Sequence, residues 1–385
     1  MKIRPQHATL LAGCSAFVLM AAQPASAAEW ELGVGGYVEG YIGFSDFGGV
    51  ARGSDEFDAV AGSEVFFQPT ITLDNGLRIG GYVELEGTGS TGHHGDAYID
   101  QAFVFIDGRF GQIRIGQEPG PRSSFVLGSQ DHFDRPPGDP LKGLHPTYLG
   151  SYAPFSGSIA GRMTGDDFFR GTLSGPDYSP SGRYNATRIT YTTPTFAGFT
   201  LSGSFAPEGR GASGDVYADR EEMYDVALRY AGEFGAIRVA ADAFYGTGSN
   251  SRDAAANPEY QGFGVNLGYG GFTIGGSFAE TQGSSMTQAD GAGYTVEASY
   301  TTGPWSFAGQ YIHGNNTDNE NTGLGPRERF EMIAFGTNYE LKKGVTISAF
   351  GAYVNFEEDV GDGGFGTPGD NFDGFVIGSG LRLTF

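Results

Sequence analysis

Ionisable side chains recur in this chain at alternate positions of short segments whose other positions are apolar. Glu39, Glu84, Arg78, Arg114, Arg188 and Arg382 all share that setting. Residues set out along one face in this way do not assemble a nucleophile with its base. They place fixed charge along a surface, and such a surface attracts and orients ions and polar solutes. A long proline-rich stretch, 118–184, adds Glu118, Asp131, Asp134, Asp139, Asp166 and Asp167. If these acids faced the arginines across a narrow aqueous passage, the opposed charges would set up a transverse field at its constriction. Each arginine has a second available role, a salt bridge that fixes the wall or the loop.

Motifs for bond-breaking chemistry are missing from the sequence. It contains no H-E-x-x-H zinc motif, no phosphate-binding loop of the Walker type and no G-x-S-x-G elbow. The segment 318–329 opens like a calcium loop. However, Glu320 and Thr322 hold its third and fifth positions, and Arg329 stands where a bidentate glutamate is needed. His93-His94 is an isolated imidazole pair. Asp131-His132 and Asp166-Asp167 would serve a hydrolase only if they converged on one water. The expectation is no catalytic residue, no cofactor and no dedicated metal site. Acidic stretches (Asp55, Glu56, Asp58; Asp359, Asp362, Asp370, Asp373) leave room for weak divalent-cation binding.

The 385 residues suit one large domain, and 66 glycines with 14% aromatics exclude disorder; no Gly-X-Y period points to collagen. Residues 1–27 read as an export signal: Lys2 and Arg4, an apolar run from Leu10 to Ala22, then Ala25-Ser26-Ala27. That run is too short for a membrane-spanning helix, which takes roughly 20 apolar residues. Leu11-Ala12-Gly13-Cys14 matches a lipidation box, but most of the apolar run follows the cysteine. Without residues 1–27 the chain has no cysteine, and its 23 basic residues lose Lys2 and Arg4. The remaining 21 stand against 45 acids, a net charge of −24. Nucleic-acid binding is disfavoured, whereas a cation-attracting surface is compatible with that charge.

The elements that position the charges are strands. Alternation runs from Trp30 to Phe385. In the first segment Trp30, Leu32, Val34, Gly36, Val38, Gly40, Ile42 and Phe44 share one face, opposite Glu31, Tyr37, Glu39 and Tyr41. In the last, Phe375, Ile377, Leu381, Leu383 and Phe385 oppose Arg382 and Thr384. Tight turns are expected at Asp74–Gly76, Gly108–Gly111, Gly232–Gly235, Gly270-Gly271, Thr301–Pro304 and Lys342–Gly344. Long polar stretches alternate with them: 45–62, 87–96, 118–184, 206–221, 246–258, 282–292, 314–328 and 354–372. This alternation predicts an all-β transmembrane antiparallel β-barrel of about 16 strands, filling 28–385. A two-sheet sandwich gives its loops no reason to alternate in length. Trp30, Tyr230, Tyr269, Tyr300, Trp305 and Tyr339 suit interfacial aromatic girdles.

Four segments resemble the Gram-negative trimeric porins, especially those of α-proteobacterial type. They are SEVFFQPTITLDNGLRIGGYVELEG (63–87), QAFVFIDGRFGQIRIGQ (101–117), YTTPTFAGFTLSGSF (191–205) with its Y-x-x-P-x-F-x-G-F turn, and the terminus GLRLTF ending on Phe385. The resemblance implies an outer-membrane homotrimer, a third long loop (118–184) folded into the pore, and recognition of Phe385 by the barrel-assembly machinery. The expected activity is passive diffusion of small hydrophilic solutes and ions, weakly cation-selective and without catalysis. A substrate-specific channel stays open as an alternative, with Tyr148, Tyr152, Phe155, Phe168 and Phe169 as a stacking track. So do a barrel enzyme and a plugged adhesive barrel.

Overall fold

The computed structural model describes residues 29–48, 57–87, 98–121, 186–208, 220–250, 257, 259–282, 291–316, 328–358 and 372–385. Sixteen strands follow one another: β1 (Trp30–Phe47), β2 (Phe57–Thr72), β3 (Arg78–Glu86), β4 (Tyr98–Gly108), β5 (Gly111–Glu118), β6 (Ala186–Thr192), β7 (Phe199–Glu208) and β8 (Arg220–Phe234) come first. The second half comprises β9 (Ile237–Asn250), β10 (Glu259–Tyr269), β11 (Phe272–Gln282), β12 (Gly291–Thr302), β13 (Trp305–Asn316), β14 (Glu328–Lys342), β15 (Val345–Glu358) and β16 (Phe372–Thr384). Each pairs antiparallel with its neighbours in sequence, and β1 pairs with β16, so the sheet is a closed barrel. At the seam Gly36 and Phe385 exchange backbone hydrogen bonds, each 3.1 Å.

The alternation sorts the side chains as expected. On the outer face Val38, Ile42, Val265, Phe335 and Ile377 are exposed, while inward Glu39 and Arg382 are enclosed by their neighbours. The tight turns occur where glycine and asparagine mark them, although the strands take in flanking residues such as Gly108, Thr301, Thr302 and Lys342. Gly232 belongs to β8, and the turn is Gly235-Ala236. In the P-x-F-x-G-F turn, Ala197 (φ 50°) and Gly198 (φ 87°) both take left-handed backbone while Phe196 and Phe199 bond each other's amides at 2.8 Å. That is the geometry of a two-residue hairpin turn that matches strand twist. All six girdle residues named from the sequence point outward near the turn end or, for Trp30, at the start of β1. Ring pairs link several of them: Phe199–Tyr230 at 4.8 Å, Phe272–Tyr300 at 4.3 Å and Trp305–Tyr339 at 4.7 Å.

Strands run further towards the long connections than the alternation indicates. β1 reaches Phe47, β2 begins at Phe57 and β9 reaches Asn250. On these extensions the outer face turns polar. Glu331 accepts from Tyr311 (2.8 Å) and Arg329 (2.9 Å), Gln261 donates to Glu280, and Tyr353 donates to Asp373 at 3.0 Å. Backbone pairing continues beyond the apolar belt because both faces are then wet, so hydropathy no longer reports it. Residues 1–27 and most of 118–184 lie outside the described residues, as does any extra strand pair in the latter.

Glycine on the inner wall has a packing role. Phe66 faces Gly35, Phe105 faces Gly80, Phe244 faces Gly262, Phe350 faces Gly378 and Tyr41 faces Gly380, each pair directly opposed across neighbouring strands. In every pair a Cβ on the glycine would overlap the ring. The ring therefore lies down on the neighbouring strand instead of projecting into the lumen. Gly380→Val is expected to lower barrel stability by about 1–3 kcal/mol through overpacking against Tyr41. Gly203→Ala, where the nearest atom is 3.6 Å away, should change it by less than about 0.5 kcal/mol. Denaturant midpoints of the refolded protein in detergent measure both.

Candidate functional site: the charged inner wall

Three arcs of the inner wall carry the charged residues singled out from the sequence, and Asp242 on β9 and Glu297 on β12 add carboxylates beyond them. The first spans β5 to β8. Arg114 and Glu118 are four residues apart on one strand, and the inward position between them is Gly116, which has no side chain to obstruct the arginine. Arg114 Nε reaches Glu118 Oε2 at 2.7 Å, and Glu118 is fully buried. Gly116 also has φ 147° and a Cβ there would strike the β4 backbone, so only glycine fits the position. One strand further, Arg188 is 1% exposed. It donates to Asp225 Oδ2 on β8 (3.2 Å) and to Ser204 Oγ on β7 (3.3 Å), and Ser204 itself donates to Asp225 at 3.4 Å. Two guanidiniums are thus matched by two carboxylates in a compact, charge-balanced network.

The second arc is the seam. Arg382 on β16 pairs with Glu39 on β1 at 2.7 Å and lies over the Tyr37 ring at 3.9 Å. Tyr41 donates to the same Glu39 oxygen at 3.2 Å. The register that sets Glu39 opposite Arg382 makes this bridge a cross-strand pair in the closing ladder.

The third arc, β2 to β4, is acidic and aromatic. Glu84 is 5% exposed and accepts from Tyr82 OH (2.5 Å) and from Gln101 Nε2 (3.1 Å). Glu64 and Asp100 lie close enough to act on its carboxylate. Beside this row, Phe66, Tyr82 and Phe103 stack ring to ring at 5.5 and 5.2 Å, with planes 25° and 22° apart. The Arg114 guanidinium sits 5.5 Å from the Phe103 centroid.

Of the residues singled out from the sequence, the structure joins Arg114 with Glu118 and Glu39 with Arg382. It gives Arg188 the partner Asp225. Arg78 stands apart: it is the first residue of β3, beside the Asp74–Gly76 turn, and pairs with Asp107 at 3.2 Å. It therefore belongs to the turn-side mouth rather than to a mid-wall constriction. Among the described residues all four arginines are paired along or between strands, not across the lumen. Asp131, Asp134, Asp139, Asp166 and Asp167 lie outside the described residues. So do His93-His94, Asp131-His132, the 148–169 aromatics and most of the acidic stretches. Of the latter, Asp373 is described and accepts from Tyr353. Sequence reading passed over Asp225, Asp107 and Asp242, although all three hold the polar parity of their strands. Among the described residues no three of His, Cys, Asp or Glu form a group able to hold a metal ion.

A family model described as Gram-negative porin matches residues 13–359. Comparison with curated proteins gives no match. Among solved structures, an anion-selective porin from Comamonas acidovorans superposes with a TM-score of 0.61 at 16% identity, covering 93% of this chain and 100% of its own. OmpF of Salmonella typhi, solved in complex with daunomycin, gives 0.61 at 14% identity over 92% and 97%. The trimer form of OmpT, an outer membrane protein of Vibrio cholerae, gives 0.55 at 15% identity over 92% and 99%. At such identities these likenesses speak to the fold.

The buried pair Arg188–Asp225 generates a prediction. Asp225→Ala leaves a buried guanidinium uncompensated and should cost about 3–5 kcal/mol. The double replacement Arg188→Met with Asp225→Leu removes both charges and should cost well under half of that. Denaturant midpoints of the three proteins in detergent decide it.

Proposed function

The chain belongs to the Gram-negative porin family, whose members are outer-membrane diffusion channels, and from that premise we propose a general diffusion porin with a weak preference for cations. The observation that carries the preference is the β2–β4 arc. There Glu64, Glu84 and Asp100 share the wall, and among the described residues the only basic one at an inward position is Arg78, at the turn-side mouth. In the other two arcs Arg114, Arg188 and Arg382 are neutralised by Glu118, Asp225 and Glu39, and Arg229 stands opposite Asp242 in the β8–β9 ladder. A formal net charge of −22 adds to the same field. The preference is this chain's own: a porin of the same fold from Comamonas is anion-selective, so selectivity follows the wall charges and not the barrel.

Export by residues 1–27 and recognition of the strand ending in Phe385 by the assembly machinery belong to this reading. So does a homotrimer. Among the described side chains, the outward positions of β2 to β5 include Val65, Phe67, Ile79, Val83, Leu85, Val104, Ile106 and Ile115, and no tyrosine or tryptophan. Girdle rings lie chiefly on β7 to β15, where headgroups need them, with Trp30 on β1 and Tyr191 on β6 bordering the ring-poor face. A face without girdles suits burial against other copies of the chain.

In planar bilayers the refolded protein should insert in stable open steps, grouped in threes, with a reversal potential favouring cations across a KCl gradient. Folded protein that conducts nothing would overturn the channel, and an anion-favouring potential would overturn the selectivity. Val104→Lys should abolish the trimer on native electrophoresis, since an unpaired buried charge costs about 3 kcal/mol or more. Val265→Lys on β10, beneath the girdles, should leave the trimer intact.

A further inference from the structure

The β2–β4 wall holds two parallel rows. On each strand the ring residue is followed, two positions nearer the long connections, by a polar one: Phe66 by Glu64, Tyr82 by Glu84 and Phe103 by Gln101. Residues two apart on a strand share a face, so the rows lie one above the other along the lumen. The rings are shingled, each half-buried and each offering part of a face or edge to the water. Asp100 joins the upper row where β3 and β4 shift register at Glu84/Leu85. Among the described residues, what touches the Glu84 carboxylate is a phenol, an amide and another carboxyl, and no cation.

Those two rows specify a ligand. Carboxyls in the upper row bind an ammonium group by charge-assisted hydrogen bonds. Ring faces below attract the same cation through their quadrupole and cover the hydrocarbon attached to it. The chain already uses the ring row in this way, because the Arg114 guanidinium rests on Phe103. The carboxyls are spread along the ladder rather than gathered on one metal-sized point, which suits an elongated organic cation better than a bare ion. We propose that the Phe66–Tyr82–Phe103 ladder and the Glu64–Glu84–Asp100 row form a binding subsite on the channel wall for organic ammonium solutes.

The inference rests on the channel reading, so the test begins from the conductance in KCl alone. Benzylammonium is then added, with neutral benzyl alcohol as its uncharged counterpart. Benzylammonium should reduce the open-channel current in a saturable way, and benzyl alcohol should not. Glu84→Gln and Phe103→Leu should each raise the half-blocking concentration about tenfold. Glu297→Gln, an inward carboxylate on β12 away from the ladder, should leave it within about twofold. If either ladder variant fails to fold, Tyr82→Phe takes its place; it keeps the ring, removes the phenol donor to Glu84 and should weaken block about threefold. Absence of conductance in KCl would remove the channel reading itself. Normal conductance without saturable block, equal block by benzyl alcohol, or equal loss of block in Glu297→Gln would each overturn the subsite and leave the channel standing.

Discussion

Hydrocarbon offers no partner to a peptide N–H or C=O, and the closure of this sheet follows from that one condition. A sheet satisfies its amides only through neighbouring strands, so an open sheet would leave two edges bare in lipid. Closure of β1 onto β16 removes both. Once the sheet is shut, period-two geometry divides each strand between lipid and lumen. The lumen then becomes the only place within the membrane where charge is tolerated, and the ion pairs collect there.

Inward charges face a second constraint, the narrowness of the space they share. Arg114 lies along its own strand because Gly116 leaves the way clear. Arg188 spans two strands to reach Asp225. Rings opposite glycines lie against the wall. The same device serves both classes of side chain: glycine on one strand receives a large group from the same or the next strand. These inner-wall glycines therefore keep large side chains against the wall and out of the lumen.

Much of the fold could be read from the sequence, because a barrel writes its layout into local patterns. Asp74-Asn75-Gly76 marks a turn, Val38 and Ile42 mark a lipid face, and the spacing between them counts strands. Strand ends were less legible. Past the apolar belt, as at Glu331 and Glu280, a paired strand and a polar loop have the same composition. The site was legible only as a set of faces. Parity places Arg188 in the lumen, but its partner is 37 residues away. Which inward acid it meets depends on the register of three strands, a non-local property. Arg78 has the same parity as Glu84 yet lies at the rim, since parity carries no height.

The bridge from Arg382 to Glu39 joins residues 343 positions apart. Nearly the whole chain must be delivered before this last ladder can form. Until then β1 and β16 are the two bare edges of a curved sheet, able to pair with any strand they meet. The seam is therefore the ladder that closes the ring. Once shut, it turns a linear polymer into a ring held by non-covalent bonds, one that can be opened only by parting a complete row of them together. Persistence of such a barrel is then governed by the rate at which that row parts more than by the sum of its contacts.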